Sequence, residues 1–71
     1  MMTKFVVIWF RDNQPHSRYC DSKSMASNFA RKMSKDGKAK IYRCVGILNG
    51  GEFFETESFF VATYTNGKRD Q

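Results

Sequence analysis

The side chains best suited to chemistry in this chain are one histidine, His16, and two cysteines, Cys20 and Cys44. Imidazole and thiol groups act as bases, nucleophiles or metal ligands, and the His16 to Cys20 offset would suit a metal. A structural zinc site needs a fourth such ligand, however, and the chain has no other Cys or His. We therefore expect no metal, no cofactor and two half-buried thiols. A disulfide between the two cysteines stays open, because the sequence does not give their separation.

Catalytic patterns are absent from the rest of the chain. General acid and base catalysis needs titratable groups paired in a pocket, whereas the seven carboxylates are scattered over predicted caps and turns. The sequence has no Ser-His-Asp order, nucleophile elbow, phosphate loop or dinucleotide fingerprint. His16 follows Pro15 and is typical of a solvated turn. We predict that the protein is not an enzyme.

Basic residues are concentrated between positions 31 and 43, where only Asp36 opposes them. These candidate binding residues are Arg31, Lys32, Lys35, Lys38, Lys40 and Arg43. Such a patch could dock on an acidic protein surface or clamp phosphates, or it could be a solvated helix end. Glu52, Glu55 and Glu57 form an acidic cluster that would repel phosphate. We therefore favour a protein partner over nucleic acid.

Apolar residues occupy both faces of the predicted strands. Positions 5–10 read Phe-Val-Val-Ile-Trp-Phe, and aromatic pairs recur at 53–54 and 59–60. One helix covers only one sheet face, so we expect the other to expose Trp9 or Phe10, Tyr42, Phe53 or Phe54, and Phe60 or Tyr64. Trp and Tyr are frequent interface hot spots, which makes Trp9, Tyr42 and Tyr64 candidate anchors. The alternative is that loops, the C-terminal tail or the short second strand fold over them.

The elements that would position these residues follow from periodicity. Alternation predicts a strand over 3–11 and a short strand over 17–20, with turn residues at 12–15 between them. Asp21 or Ser22 is a candidate N-cap for a helix over 22–36, followed by Gly37. The apolar stripe of this helix consists of Met25, Ala26, Phe29, Ala30 and Met33.

The second half of the chain predicts a long hairpin. A strand over 39–48 is followed by Asn49-Gly50, a strong hairpin signal, and by a strand over 52–65 that we expect to bend or bulge near 55–58. The polar residues 66–71 are predicted to form a flexible tail. Together these elements predict one α+β domain over 1–71, with a small antiparallel sheet of three to four strands, one α-helix packed on one face and a β-β-α-β-β order.

Composition limits the class of protein. Seventy-one residues suit a single small domain, and the net charge of +5 favours acidic partners. The chain has neither a signal-peptide pattern nor an apolar run long enough to span a membrane. Two widely spaced cysteines are typical of a reducing compartment. We expect a cytoplasmic protein with no membrane partner.

In size, in its strand-helix-hairpin order and in its mixture of aromatic and charged residues, the chain resembles small inhibitor proteins of bacteriophages and prophages, including anti-CRISPR proteins. That resemblance implies a protein without catalytic activity that occupies a surface on a host complex, such as one that handles nucleic acid. Our leading hypothesis is a binding module of this kind. The alternatives are direct DNA or RNA binding through the same basic patch, and a structural or oligomer-forming protein such as a homodimer.

Overall fold

The computed structural model describes all 71 residues and consists of one antiparallel sheet with a helix on one face. The elements are β1 (Met2–Arg11), β2 (Gln14–Cys20), α1 (Lys23–Met33), β3 (Lys38–Asn49), β4 (Glu52–Thr65) and β5 (Lys68–Arg69). The strands lie in the spatial order β2-β1-β3-β4-β5. The prediction of three to four strands is therefore wrong, because the sheet has five.

Each hairpin is closed by two residues with positive φ. These pairs are Asp12 and Asn13 (53° and 63°), Gly50 and Gly51 (60° and 83°), and Asn66 and Gly67 (51° and 83°). Two consecutive residues with φ > 0 are the mark of the type I′ turn, whose twist matches that of the flanking strands. Asn, Asp and Gly adopt this conformation at the lowest steric cost, so local sequence determines all three reversals.

The fifth strand comes from the residues predicted to form a flexible tail. The Asn66-Gly67 turn returns the chain so that Lys68 pairs with Thr65 and Arg69 with Tyr64. The Asp70 N–H then donates to the Thr63 carbonyl at 2.8 Å. Backbone pairing therefore extends the sheet into residues 66–71.

Helix α1 begins where the sequence predicts it but ends earlier. Ser22 is the N-cap, and its hydroxyl accepts a hydrogen bond from the Met25 N–H at 3.2 Å. The helix ends at Met33, before the predicted Asp36, because Ser34 leaves helical geometry. The fully buried Ser34 hydroxyl accepts from the Gly67 N–H at 3.1 Å and so attaches the β4–β5 turn to the end of the helix.

The core lies between α1 and one face of the sheet. Its buried residues are Val7, Cys20, Ala26, Ala30, Ala39, Ile41, Ala62 and Tyr64. Ala26 and Ala30 are the only helix residues in it, since Met25 is exposed and Phe29 and Met33 are only half-buried. Small side chains at the contact allow the helix to lie close to the sheet. The predicted apolar stripe is thus the helix face that packs on the sheet, but its large side chains, Met25, Phe29 and Met33, lie at the edges of that contact.

Strand β4 carries two bulges. Ile41 pairs with Ala62 but Tyr42 with Phe60, which leaves Val61 as an extra residue. Val45 pairs with Glu57 but Gly46 with Glu55, which leaves Thr56 as the second. The second bulge lies within the predicted segment 55–58, so that prediction is confirmed. Bulges increase local bending and twist, and here they bend the long β3–β4 hairpin.

Candidate binding face of the sheet

The sheet face opposite α1, which we call the open face, is identified by strand alternation. Ala39 and Ile41 pack under the helix, so Lys38, Lys40 and Tyr42 point the other way. The pairing registers align side chains on the open face in two rows across β1, β3 and β4: Val6, Tyr42 and Phe60, then Ile8, Lys40 and Thr63. Lys38 pairs with Thr65 next to the second row, and by alternation Phe10 lies on the same face, one residue beyond the last β1–β3 pair.

The far end of the β3–β4 hairpin curls over part of the open face. Tyr19 on β2 and Phe53 on β4 are separated by two strands, yet their ring centroids lie 5.2 Å apart. In a flat sheet three strand spacings would hold these strands about 14 Å apart. The Tyr19 hydroxyl also donates to a Glu55 carboxylate oxygen at 3.1 Å. Val6 and Cys44 are buried beneath these contacts.

Gly46 permits this curl. A Cβ at Gly46 would lie 2.1 Å from the Phe54 carbonyl oxygen and 2.9 Å from the Phe53 ring. Such distances are far inside van der Waals contact, so only glycine allows the two strands to approach this closely.

The titratable side chains in the covered part of the open face are protonated or paired, so they are unreactive at neutral pH. Burial, with the neighbouring Glu55 carboxylate, raises the pKa of the Cys44 thiol to about 12. Burial and the same carboxylate also raise the pKa of Tyr19. Lys4 is paired with Asp21 at 2.9 Å. At neutral pH the Cys44 thiol and the Tyr19 hydroxyl are therefore protonated, and the charge of Lys4 is balanced by Asp21.

The remaining part of the open face is uncovered, and we call its apolar residues Ile8, Phe10, Tyr42 and Phe60 the aromatic platform. Phe10 is 68% exposed and Phe60 60% exposed. Tyr42 and Phe60 meet edge to face with ring centroids 5.8 Å apart. Lys40 is exposed in the middle of this surface, paired in register with Ile8 and Thr63. The platform therefore combines exposed rings with a central positive charge.

The six predicted basic residues do not form one patch. Lys38 and Lys40 lie on the open face, whereas Arg43 lies on the helix side, with its guanidinium 4.7 Å from the Phe59 ring centroid. Arg31 on α1 lies over Tyr64 at 5.6 Å. Lys32 and Lys35 are exposed in and just beyond the last turn of α1. Strand alternation separates residues that are close in sequence, so their charges point in different directions.

Two of the three predicted anchors lie on the helix side. Trp9 packs edge to face on Phe29 at 5.1 Å, and its buried indole N–H has no acceptor. Tyr64 is 2% exposed in the core. Only Tyr42 lies on the open face, where Phe10 and Phe60 take the other exposed positions. Sequence reasoning left these alternatives open, because a strand that is apolar on both faces does not reveal which face the helix covers.

The histidine and cysteines are not brought together. Cys20 is buried on the helix side and Cys44 on the open face, so the sheet separates them and both thiols are free. Burial raises the pKa of Cys20 as well. His16 stacks on Trp9 with ring centroids 5.6 Å apart. No group of three or more His, Cys, Asp or Glu side chains is placed to hold a metal ion.

Comparisons with protein families, with curated proteins and with solved structures found no match for the chain. The resemblance to phage inhibitor proteins therefore stays a prediction. No helix in the structure has the length and apolar character needed to cross a membrane.

Proposed function

We propose that the protein is a non-enzymatic binding module that docks on another protein through the aromatic platform. The observation that supports this most is the exposure of Phe10 and Phe60 on the same sheet face as Lys40. Burying one aromatic side chain contributes about 1.5–3 kcal/mol. An apolar centre with polar residues around it is also the usual composition of a protein interface.

The absence of catalysis is part of this proposal. Both thiols have raised pKa values, which keeps them protonated at neutral pH and makes them poor nucleophiles. The single histidine is occupied in a ring stack with Trp9. These features suit a protein that acts by occupying a surface.

The charge distribution favours a protein partner over nucleic acid. Binding to a phosphate backbone draws on several cations along one groove, each of which releases counterions. On the open face Lys38 lies 3.9 Å from Asp70, so its charge is partly compensated and Lys40 provides the main free charge. We therefore propose a partner surface with an apolar centre and a carboxylate opposite Lys40. A protein that docks in this way blocks the surface it covers, as expected of the inhibitors that the chain resembles.

A matched pair of neighbouring aromatic residues provides the test. Phe60 lies on the open face and Phe59 on the helix side, and both are exposed. Tagged wild-type protein, Phe60→Ser and Phe59→Ser would be used to capture proteins from cells that naturally carry the gene. The proposal predicts a protein retained by wild type and Phe59→Ser but lost with Phe60→Ser. Equal retention by all three would contradict it.

Two further measurements separate the alternative functions. Titration of labelled single-stranded and double-stranded DNA and RNA at two salt concentrations would give tight, steeply salt-dependent binding if nucleic acid were the ligand. Solution mass would give twice the chain mass if the platform joined two copies, and Phe60→Ser would then return it to the monomer value. Our proposal predicts no such nucleic-acid binding and a monomer.

A further inference from the structure

The outer edge of β2 is unpaired, because β2 is the first strand of the sheet. The type I′ turn at Asp12 and Asn13 makes Arg11 and Gln14 a hydrogen-bonded pair, and hydrogen-bonded pairs then alternate along the hairpin. Gln14, His16, Arg18 and Cys20 therefore direct their backbone groups toward β1. The backbone N–H and C=O of Ser17 and Tyr19 point away from the sheet, toward any added strand.

Pro15 limits where another strand can pair. It lies at an outward-directed position of β2, next to Phe10 in the register, and has no N–H to donate. An added strand can therefore pair fully only beside the second half of β2, at Ser17 and Tyr19.

A groove lies beside that same half of the strand. It is lined on one side by residues 18–21 and on the other by Met25, Asn28, Phe29 and Lys32 of α1, with a volume of about 520 Å³. The helix residues are spaced i, i+3, i+4 and i+7, so they form one stripe along α1. This stripe faces past the sheet edge, where the side chains of an added strand would lie.

The groove has an apolar end and a basic end. Met25, more than half exposed, contributes the apolar end. Toward the other end the Arg18 guanidinium lies 4.9 Å from the Phe29 ring centroid, and neither Arg18 nor Lys32 forms a salt bridge. The one carboxylate in the lining, Asp21, is paired with Lys4. The groove therefore suits a side chain that is apolar and one that is acidic.

We propose that the β2 edge and this groove bind an extended peptide segment of a partner protein as an additional strand. One apolar side chain of the segment packs on Met25 and Phe29, and a carboxylate two residues away contacts Arg18 and Lys32. Addition of a strand to an exposed sheet edge is a recurrent mode of peptide recognition, in which main-chain hydrogen bonds give affinity and side-chain pockets give specificity. The open face is not required for this binding.

The other exposed edge is less suited to strand addition. The outer edge of β4 is free before Tyr64, but it carries Glu52, Glu55 and Glu57 and both bulges. Charges and bulges at an edge oppose further pairing.

The test uses two capped heptapeptides, Ac-Thr-Thr-Leu-Thr-Glu-Thr-Thr-NH₂ and its reversed sequence, which place Leu and Glu on one side of a strand in either direction. Titration into ¹⁵N-labelled protein, followed by NMR, should shift the Ser17 and Tyr19 amide signals with at least one peptide. The same peptide with Lys in place of Glu should bind at least about tenfold more weakly, since it meets Arg18 and Lys32 with a like charge. No shift of these amides with either peptide at millimolar concentration would overturn the proposal.

Substitutions identify the site. Ser17→Pro removes one outward N–H and should abolish binding, whereas Ser17→Ala keeps the N–H and should retain it. If Ser17→Pro does not fold, Met25→Glu at the exposed groove position provides a second variant, which should repel the acidic peptide. If whichever of Ser17→Pro and Met25→Glu folds still binds the acidic peptide as wild type does, the proposed binding site is wrong. Phe60→Ser should bind the peptide as wild type does, so failure of the aromatic platform and failure of the groove are distinguishable.

Discussion

At the scale of single residues, Gly46 determines whether the hairpin can cover Val6 and Cys44. Gly46→Ala places a methyl group against the Phe54 carbonyl, a backbone atom that cannot rotate away. We expect a loss of at least about 1–3 kcal/mol in the free energy of unfolding, as for other overpacked sites. Chemical denaturation measures this. Gly37→Ala is the matched control, since a Cβ there meets nothing within 4 Å, and a similar loss in that variant would contradict the explanation.

The Cys44 thiol predicts a dependence of stability on alkaline pH. Its pKa is raised from 9.0 in the absence of burial to about 12 in the fold, so the unfolded chain ionises first. The contribution of the protonated thiol to stability is complete below pH 9 and is lost as the pH rises toward 12. Between these pH values the free energy of unfolding falls by at most about 1.4 kcal/mol per pH unit, the limit for one proton.

Comparison with Cys44→Ala isolates that contribution. Denaturation of both proteins under reducing conditions between pH 8 and 11 should give a steeper loss of stability in wild type. Cys20, whose pKa is also raised, is present in both proteins and so cancels in the comparison. The Cys44 thiolate contributes to the raised pKa of Tyr19, so the part of the Tyr19 effect that depends on Cys44 is included in the measured difference. Parallel pH profiles would show that the Cys44 thiol is not shielded as described.

The role of a residue could be predicted from the sequence where the local pattern allows a single position in the fold. It could not be predicted where the residue can lie on either face of the sheet. The N-cap could be narrowed to Asp21 or Ser22, because both side chains can accept a hydrogen bond from the first turn of a helix, and Ser22 is the one that does so. Trp9 and Phe10 could not be distinguished, since neighbouring strand residues exchange faces when the helix packs on the other side. The outcome depends on tertiary packing of Ala26 and Ala30 against the sheet, which no local pattern specifies.

At the scale of elements, the curled end of the β3–β4 hairpin acts as a partial cover for the open face. Phe53 is the side chain of this cover that meets Tyr19. Phe53→Ala should open the region above Cys44 and increase its rate of reaction with a thiol reagent. Cys20, beneath α1, is an internal reference because global unfolding would expose both thiols.

Phe54→Ala is the control for this prediction. Phe54 pairs with Ile47 and lies on the helix side, where it does not cover Cys44. Its substitution should leave the reaction rate of Cys44 nearly unchanged. Equal acceleration in the two variants, or acceleration of both thiols together, would indicate loosening of the whole hairpin.

Most elements were predictable because their signals are local. The helical stripe, the β3–β4 hairpin and the alternation of β1, β3 and β4 all lie within short windows. The hairpin turn itself is one residue later than the Asn49-Gly50 signal, at Gly50 and Gly51, because Asn49 still pairs with Glu52 in the ladder. Strand β5 was missed because only four residues follow Gly67, too few to display a period. Gly46 within a strand pattern is compatible with a bulge or a close backbone approach, but its spacing does not indicate toward which face the hairpin bends.

At the scale of the whole molecule, one helix and one curled hairpin leave part of the sheet uncovered. The helix protects one face, and the hairpin end protects Val6 and Cys44 on the other. Phe10, Tyr42 and Phe60 lie beyond both. The excess of apolar strand positions was evident from the sequence, whereas the dispersal of the basic residues over both faces became clear only from the register.

The aromatic platform is tested most directly by the affinity of the purified partner for the two neighbouring phenylalanine variants. Truncating a buried interface aromatic residue removes about 1.5–3 kcal/mol, which corresponds to a Kd roughly 10–150 times higher. Titration calorimetry should therefore give this increase for Phe60→Ser and a Kd within about twofold of wild type for Phe59→Ser. An unchanged Kd for Phe60→Ser, or an equal loss for both variants, would contradict docking through the open face.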